Sequence, residues 1–181
     1  MPYHHGDLPR AVVAAARDLL REAPGEPLSI REAARRVGVS PNAPYRHFPD
    51  RDALLRAVAA DGYRSVAGRL AGRSGSRGVA RAWVALGEAE PALVGLMTAA
   101  IPGAAGDAEL QAAIGEWLGQ VARALEGEVA GDDPAELVGR AVGCWAAVHG
   151  LSSLRGAGVL GLIDDWMLPG AVGLARSVAG G

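Results

Sequence analysis

Apolar residues recur every three or four positions along most of this 181-residue chain. That spacing is the spacing of one face of an α-helix. No stretch shows the period of two that a half-buried β-strand requires. Proline, glycine and acidic residues cluster between the helical stretches and mark turns. The pattern therefore predicts an all-α protein.

The most informative pattern covers residues 28–51, LSIREAARRVGVSPNAPYRHFPDR. Ser29 is a candidate helix N-cap, and Glu32 follows at the spacing of a capping box. An apolar face then runs to Gly38, which suits the left-handed end of a helix. This spacing predicts one short helix whose arginines point away from the core.

Ser40 and Pro41 predict a second helix, because a hydroxyl cap and a first-turn proline both favour helix initiation. Phe48-Pro49 should end it after barely two turns. Two short helices joined by a turn that contains glycine are typical of a helix-turn-helix. The second helix of that motif enters the major groove of DNA.

The candidates to face DNA from this second helix are Pro41, Asn42, Ala43, Arg46 and His47. An Asn42 side chain can pair with adenine, and Arg46 can reach guanine or a phosphate. The alternative interpretation makes Tyr45 and Phe48 part of a small core and His47 an ordinary surface residue.

The pattern from Ser29 to Leu55, together with YHHGDL at residues 3–8, resembles the TetR/AcrR family of one-component transcriptional repressors. The segment WAAVHG at residues 145–150 is similar to the branch whose C-terminal domain carries a Trp-His-Gly signature. The resemblance implies an N-terminal DNA-binding domain and a C-terminal dimerisation and ligand domain.

Roles at the DNA interface also follow from the resemblance. It places Arg31, Asn42 and Ala43 at base-reading positions. The resemblance places Tyr45, His47 and Arg51 at phosphate-contacting positions. The full expected set is Ser29, Arg31, Ser40, Pro41, Asn42, Ala43, Tyr45, Arg46, His47 and Arg51. Pro44 departs from the leucine-like residue usual in the family, and we expect its missing N–H to shift the helix axis slightly.

Three domains are predicted along the chain. Residues 1–50 form the helix-turn-helix domain. Residues 51–78 form a linking helix, capped by Asp50, and a flexible connection, GRSGSRG. Residues 79–181 form the ligand-binding and dimerisation domain, with helices expected at 79–88, 92–100, 107–128 and 133–154 and in a final segment.

The predicted helix 133–154 is apolar nearly all round. Such a helix must be covered on two sides, and soluble monomers seldom expose a large apolar patch. Its small residues suit close helix packing: Gly139, Gly143, Ala146, Ala147 and Gly150. These features predict a two-fold homodimer built on this helix and the final helical segment.

The large side chains of the C-terminal domain are the candidate ligand-binding residues: Trp83, Met97, Trp117, Trp145 and His149. They could line an apolar effector pocket, with His149 as its polar group. The alternative is that each is a core residue. The pocket itself is an implication of the resemblance.

The formal net charge is −2, which does not favour a nucleic-acid binder. The distribution of charge along the chain does favour one, since residues 1–51 hold eight arginines against six acids. Cys144 is the single cysteine, which fits a reducing cytoplasm. No long apolar run or secretory signal occurs, so we expect a cytoplasmic protein without membrane contact.

No metal-ligand spacing, phosphate-binding glycine loop or nucleophile-base arrangement is present in the sequence. We therefore expect no enzyme, no catalytic residue, no metal and no cofactor. The sequence predicts a ligand-responsive repressor that binds a palindromic DNA operator as a homodimer. The alternative is a helical ligand-binding or interaction protein without operator binding.

Overall fold

The computed structural model describes residues 8–126 and seven helical positions farther on: 136, 139, 142, 143, 145, 146 and 150. Every regular element in this described part is helical. The α-helices are α1 (Leu8–Glu22), α2 (Ile30–Val37), α3 (Arg51–Leu70), α4 (Gly75–Ala89), α5 (Pro91–Ala100) and α6 (Ala108–Leu125). Two 3-10 helices cover Ala43–Arg46 and Ile101–Gly106. The prediction of an all-α fold is confirmed.

The chain divides into two compact units. The first unit comprises residues 1–64 and 92–114, and the second comprises residues 65–91 and 115–181. Neither unit is one continuous stretch of chain. The predicted domain limits at residues 50 and 78 remain predictions.

In the first unit, α1 packs against α2. The apolar stripe predicted for α1 supplies this contact, since Val12, Ala15 and Ala16 are buried. Small residues on α2 face them, and both Ala33 and Ala34 are fully buried. Alanines at these positions let the two helices approach closely, which holds the outward face of α2 in a fixed direction.

Capping residues define several helix ends, and those at Ser29, Gly38 and Asp50 were predicted from the sequence. The Ser29 hydroxyl accepts a hydrogen bond from the Glu32 backbone N–H at 3.3 Å. Gly38 has a φ of 81°, in the left-handed region, and ends α2. The Asp50 carboxylate accepts from the Ala53 N–H at 2.7 Å, and the Asp107 carboxylate accepts from the Leu110 N–H at 3.0 Å.

The second helix of the motif differs from the prediction. Instead of two α-helical turns it is a single 3-10 turn, Ala43–Arg46. The Tyr45 N–H donates to the Asn42 carbonyl and the His47 N–H to the Pro44 carbonyl, three residues back. Pro44 explains the change, because it has no N–H to donate and disfavours the α conformation of the residue before it.

The predicted flexible connection at residues 72–78 is also shorter than expected. Helix α4 begins at Gly75, so the turn between α3 and α4 comprises only residues 71–74. Gly72 and Gly75 have positive φ angles of 74° and 78°, and they reverse the chain. Ser76, Arg77 and Gly78 are helical, because a glycine costs a helix only about 1 kcal/mol and its context can offset that cost.

Helices α3 and α5 approach closely within the first unit. A Cβ atom added to Gly62 would lie 2.6 Å from the Met97 sulfur. The Tyr63 hydroxyl donates to the Met97 carbonyl oxygen at 3.2 Å. Two ion pairs extend the contact, Arg56 with Asp107 at 3.0 Å and Arg64 with Glu109 at 3.1 Å. The first unit therefore joins the helix-turn-helix to a later part of the chain.

Among the described residues, no single helix has the length and hydropathy to cross a membrane; one bent pair of successive helices passes that test only when taken together.

Candidate nucleic-acid interface

The outward face of α2 carries three exposed arginines, as the sequence predicts: Arg31, Arg35 and Arg36. Two of them already have carboxylate partners. The Arg35 guanidinium donates two hydrogen bonds to Glu32, at 2.9 and 2.6 Å. Arg36 pairs with Glu22 on α1, with one N–O distance of 2.8 Å. In the described part of the chain, Arg31 has no such pair.

These contacts shift the pKa values of the two acids in the direction expected for surface ion pairs. Hydrogen bonding to Arg36 lowers the pKa of Glu22, and hydrogen bonding to Arg35 lowers the pKa of Glu32. Both carboxylates therefore remain charged at neutral pH and neutralise much of the local charge of Arg35 and Arg36. Arg31 is the cation on α2 that stays available for an external phosphate or base.

The 3-10 turn presents polar side chains on one side and apolar ones on the other. Asn42, Arg46 and His47 are exposed. Pro44 and Phe48 are buried and fix the turn to the core of the first unit. Tyr45 is 40% exposed, so the alternative that placed its ring in the core is wrong for Tyr45 and correct for Phe48.

Arg51 connects the two ends of the motif. Its Nε donates to the backbone carbonyl of Leu28 at 3.1 Å, which ties the start of α3 to the residue before Ser29. Only Nε makes this bond, so the terminal nitrogens of the guanidinium have no hydrogen bond in the described part of the chain. The Ser29 side chain and the first N–H groups of α2 lie beside this link, where a helix N-terminus favours anions.

Of the ten residues expected at the interface, nine are exposed and Ala43 is half-buried. The 3-10 turn contacts both α1 and α2, so the turn and the helix before it form one rigid element. The roles of these ten residues toward DNA remain predictions. The geometry supplies an exposed amide, three cations without an ion pair in residues 8–126 (Arg31, Arg46 and Arg51), a phenol and an imidazole.

The expected ligand-binding residues are distributed over both compact units. Trp83 and Trp117, both in the second unit, pack edge to face, with ring centroids 5.5 Å apart and an interplanar angle of 89°. Met97 belongs to the first unit, where it packs against Gly62. Trp145 is half-buried, and His149 lies outside the described residues. The ligand role of each residue remains a prediction.

A pocket of about 190 Å³ lies in the first unit, between the end of α1 and the start of α2. Its lining is mostly apolar, and Ser29 and Glu32 are at its edge. No pocket was expected here from the sequence, because the walls of the pocket come from a helix end and a loop without periodicity.

The described positions of the predicted helix 133–154 bear on dimerisation. Gly139, Val142, Gly143 and Ala146 are exposed, and Val142 is 49% exposed. A Cβ atom added to Gly139, Gly143 or Gly150 would meet no atom within 4 Å. These positions follow one helix face at a spacing of three or four residues. Ala147, Cys144 and the final helical segment lie outside the described residues.

Contacts between distant residues were not predicted from the sequence. Arg17 on α1 pairs with Asp61 on α3 at 2.7 Å, and Arg51 braces Leu28. Each pair joins residues more than 20 positions apart, and no local pattern marks such partners. The charges were visible in the sequence, but their pairing was not.

Two family models match the chain. Residues 12–58 match the model of bacterial regulatory proteins of the tetR family. Residues 76–167 match the model of the tetracyclin repressor-like C-terminal domain. Together they cover the helix-turn-helix and about three quarters of the chain beyond it. No curated protein matches the chain.

Two solved structures from Rhodococcus sp. RHA1 are similar. One is a protein of unknown function with 32% sequence identity and a TM-score of 0.69, and the match covers 88% of each chain. The other was solved by structural genomics as a candidate transcriptional regulator. It has 20% identity and a TM-score of 0.56, and the match covers 90% of this chain and 96% of that one. At that identity, the second likeness shows the fold alone.

Proposed function

Since this chain belongs to the tetR family and is thus a DNA-binding transcriptional regulator, we propose that it is a repressor released from its operator by a small apolar effector. Regulators of this family are non-enzymatic DNA-binding proteins. The observation that carries the DNA-binding part of the proposal is the exposed polar face of the helix-turn-helix. Asn42, Tyr45 and Arg46 project from a turn whose other side, Pro44 and Phe48, is buried.

On this proposal, Arg31 and Asn42 read base edges in the major groove, because amide and guanidinium groups can make paired hydrogen bonds to purines. Tyr45, His47 and Arg51 bind phosphates, together with Ser29 at the N-terminus of α2. Phosphate contacts fix the position of the protein without reading sequence. Base contacts and phosphate contacts come from the same helix-turn-helix. The position of the phosphate contacts along the DNA therefore fixes which bases Arg31 and Asn42 reach.

Family members bind DNA operators and small-molecule effectors as dimers. For this chain we place the dimer interface on the face that contains Gly139, Gly143 and Ala146. Exposed small residues with open space above them allow a second helix to approach closely. A two-fold interface presents the same patch twice and yields two DNA-binding elements for a palindromic operator.

The effector part of the proposal places the ligand in the second unit, beside the perpendicular pair Trp83 and Trp117. A ligand that binds better to the arrangement unable to hold DNA would shift the population away from the operator-bound form. The contact between α3 and α5 is a candidate for the regulated element. Its release would free the helix that follows the helix-turn-helix.

The test is to incubate the purified protein with fragments of its own genome and to sequence the fragments that it retains. A palindromic motif shared by the retained fragments is the expected result. Retention should fall in the Asn42→Ala variant and should persist in Ala14→Ser, which changes an exposed position on α1. Retention of fragments without any shared motif would contradict operator binding.

A second candidate function is favoured by two observations. The 3-10 turn at Ala43–Arg46 is shorter than a full recognition helix, and the net charge of the chain is −2. A helical ligand-binding or interaction protein without operator binding would tolerate both features. The same retention experiment separates the two functions, because the second predicts no enriched DNA even at low salt.

A further inference from the structure

The indole nitrogen of Trp83 is an unusual donor. The Trp83 side chain is 2% exposed, yet no acceptor in the described part of the chain lies within hydrogen-bond distance of its Nε1 atom. A buried indole N–H normally has a partner, because an unmade hydrogen bond leaves the desolvation cost uncompensated. A ligand that places an acceptor opposite this donor would therefore be stabilised by the hydrogen bond.

The ring of Trp83 is fixed by its neighbour. Trp117 meets it edge to face, at a centroid distance of 5.5 Å. Perpendicular aromatic pairs of this kind have a preferred geometry, which limits rotation of both rings. The N–H direction of Trp83 is thus set by packing, as required for a donor that selects a ligand.

The charges of the second unit restrict the ligand further. The buried charged residue in the described part of the chain is Glu90, at the end of α4. No buried arginine or histidine accompanies it among those residues. A single neutral N–H satisfies a carbonyl-type acceptor but does not compensate the lost hydration of a full negative charge, which is unfavourable in a medium of low dielectric constant.

We infer that the Trp83 N–H is the hydrogen-bond donor of the effector site, and that the effector is a neutral apolar molecule carrying a carbonyl-type acceptor. This inference rests on the proposed effector response in the second unit. Because Trp83 is 2% exposed, the ligand binds only an arrangement in which the residues that cover the N–H have moved away and the Trp83–Trp117 pair is kept. That requirement gives the ligand different affinities for two states, which is the condition for a population shift.

The test uses the full chain and two probes, propiophenone and propylbenzene, which differ by a carbonyl group in place of a methylene. Binding is measured by calorimetry. Propiophenone should bind about tenfold more tightly, the usual value of one buried hydrogen bond. In Trp83→Phe, which keeps an aromatic ring and lacks the N–H, the ratio of the two affinities should fall to near one. Trp117→Phe removes the neighbouring buried indole N–H, which is the other candidate donor, and should retain the ratio.

Three results would overturn the inference. One is equal affinity of the wild-type protein for both probes, and another is binding of neither. The third is a preference for propiophenone that persists in Trp83→Phe. Binding of the probes in the pocket beside Ser29 would give that result. Where Trp83→Phe does not fold, a tryptophan analogue with sulfur in place of the N–H replaces it at this position.

The ligand-free protein gives an independent readout. Placing the sulfur analogue at position 83 should leave the melting temperature unchanged or raise it, because the analogue removes a buried donor that has no acceptor. A lower melting temperature would mean that the N–H already has an acceptor in the protein, and would overturn the inference. DNA retention is measured on the same preparations. Retention of DNA without carbonyl preference overturns this inference alone, whereas absence of DNA retention overturns the proposed function.

Discussion

The hydroxyl of Tyr63 donates a hydrogen bond to the backbone carbonyl oxygen of Met97, 3.2 Å away. Burial raises the pKa of Tyr63 to about 12, so the phenol keeps its proton throughout the physiological range. The neighbouring residue, Gly62, allows the helices to come this close. Helices α3 and α5 are therefore joined by a polar contact that depends on a missing side chain.

Gly62→Ala should destabilise the protein. Its Cβ would meet the Met97 sulfur at 2.6 Å and a Leu93 methyl at 3.2 Å. We expect a net loss of about 1–3 kcal/mol in the free energy of unfolding, from overpacking. The control is Gly68→Ala on the same helix, where the space is open and alanine should stabilise by about 0.5–1 kcal/mol. Urea unfolding measures both, and stabilisation of similar size in both variants would contradict the close approach.

Asn42→Ala should weaken operator binding and relax sequence preference. Loss of a paired contact to a base edge typically costs about 1–3 kcal/mol of discrimination at one base pair per half-site. The exposed amide sits at the start of the 3-10 turn. Binding to a set of operators with single base changes measures the effect. An unchanged preference at every position would show that Asn42 does not read a base.

Tyr45→Phe should weaken binding equally on all DNA sequences. The ring is 40% exposed, and its hydroxyl is the group expected to bind a phosphate. Removal of one hydrogen bond typically costs about 0.5–1.5 kcal/mol. The measurement compares the operator with unrelated DNA of the same length. A loss confined to the operator would assign Tyr45 to base recognition instead.

Ala146→Glu should convert the dimer into a monomer. Ala146 lies on the exposed face with Gly139 and Gly143, and a charge there would be buried on association. Ala112→Glu is the control, because Ala112 is also exposed on a helix of the described part but lies outside that face. Light scattering at micromolar concentration gives the mass. A wild-type monomer, or a dimeric Ala146→Glu variant, would disprove this interface.

Asp107 should contribute stability that depends on pH. The backbone N–H of Leu110 and then the Arg56 guanidinium lower its pKa below the ordinary value of 3.8. A depressed pKa in the folded state gives stability that is present above pH 3.8 and is lost as pH falls through the folded value.

Two variants separate the charge of Asp107 from its capping role. Asp107→Asn should keep the N-cap and lose the acid-dependent component, while Asp107→Ala should also lose about 1 kcal/mol at neutral pH. Unfolding by urea between pH 2 and pH 7 measures the effect. An acid-dependent component in Asp107→Asn equal to that of wild type would contradict the assignment.

Local chemistry made the helix ends predictable. Ser29, Gly38 and Asp50 act through hydrogen bonds or backbone angles within a few residues of themselves, so the sequence contains all of the relevant information. The apolar faces of α1 and α2 were predictable for the same reason. A helix has one period, and the buried residues recur with it.

The outcome of competition between local helix preferences and tertiary packing was not predictable from the sequence. Ser40-Pro41 favours a helix, but Pro44 removes the donor that would extend it, and burial of Pro44 and Phe48 stabilises a 3-10 turn instead. Gly75 was assigned to a loop by composition, whereas the helix begins there. Partners such as Arg36 and Glu22 depend on packing between helices, which residue types alone do not determine.

The pairing of Arg35 with Glu32 and of Arg36 with Glu22 limits how strongly salt can act on DNA binding. Each phosphate neutralised by a free cation releases counterions, and the logarithm of the affinity falls with the logarithm of the salt concentration in proportion to their number. With Arg46 and Arg51 as the phosphate-binding cations of each protomer, a dimer would have a slope of about −4. If Arg35 and Arg36 of both protomers also bound phosphates, that slope would be considerably steeper. The two carboxylates would thus make operator binding less sensitive to changes in ionic strength.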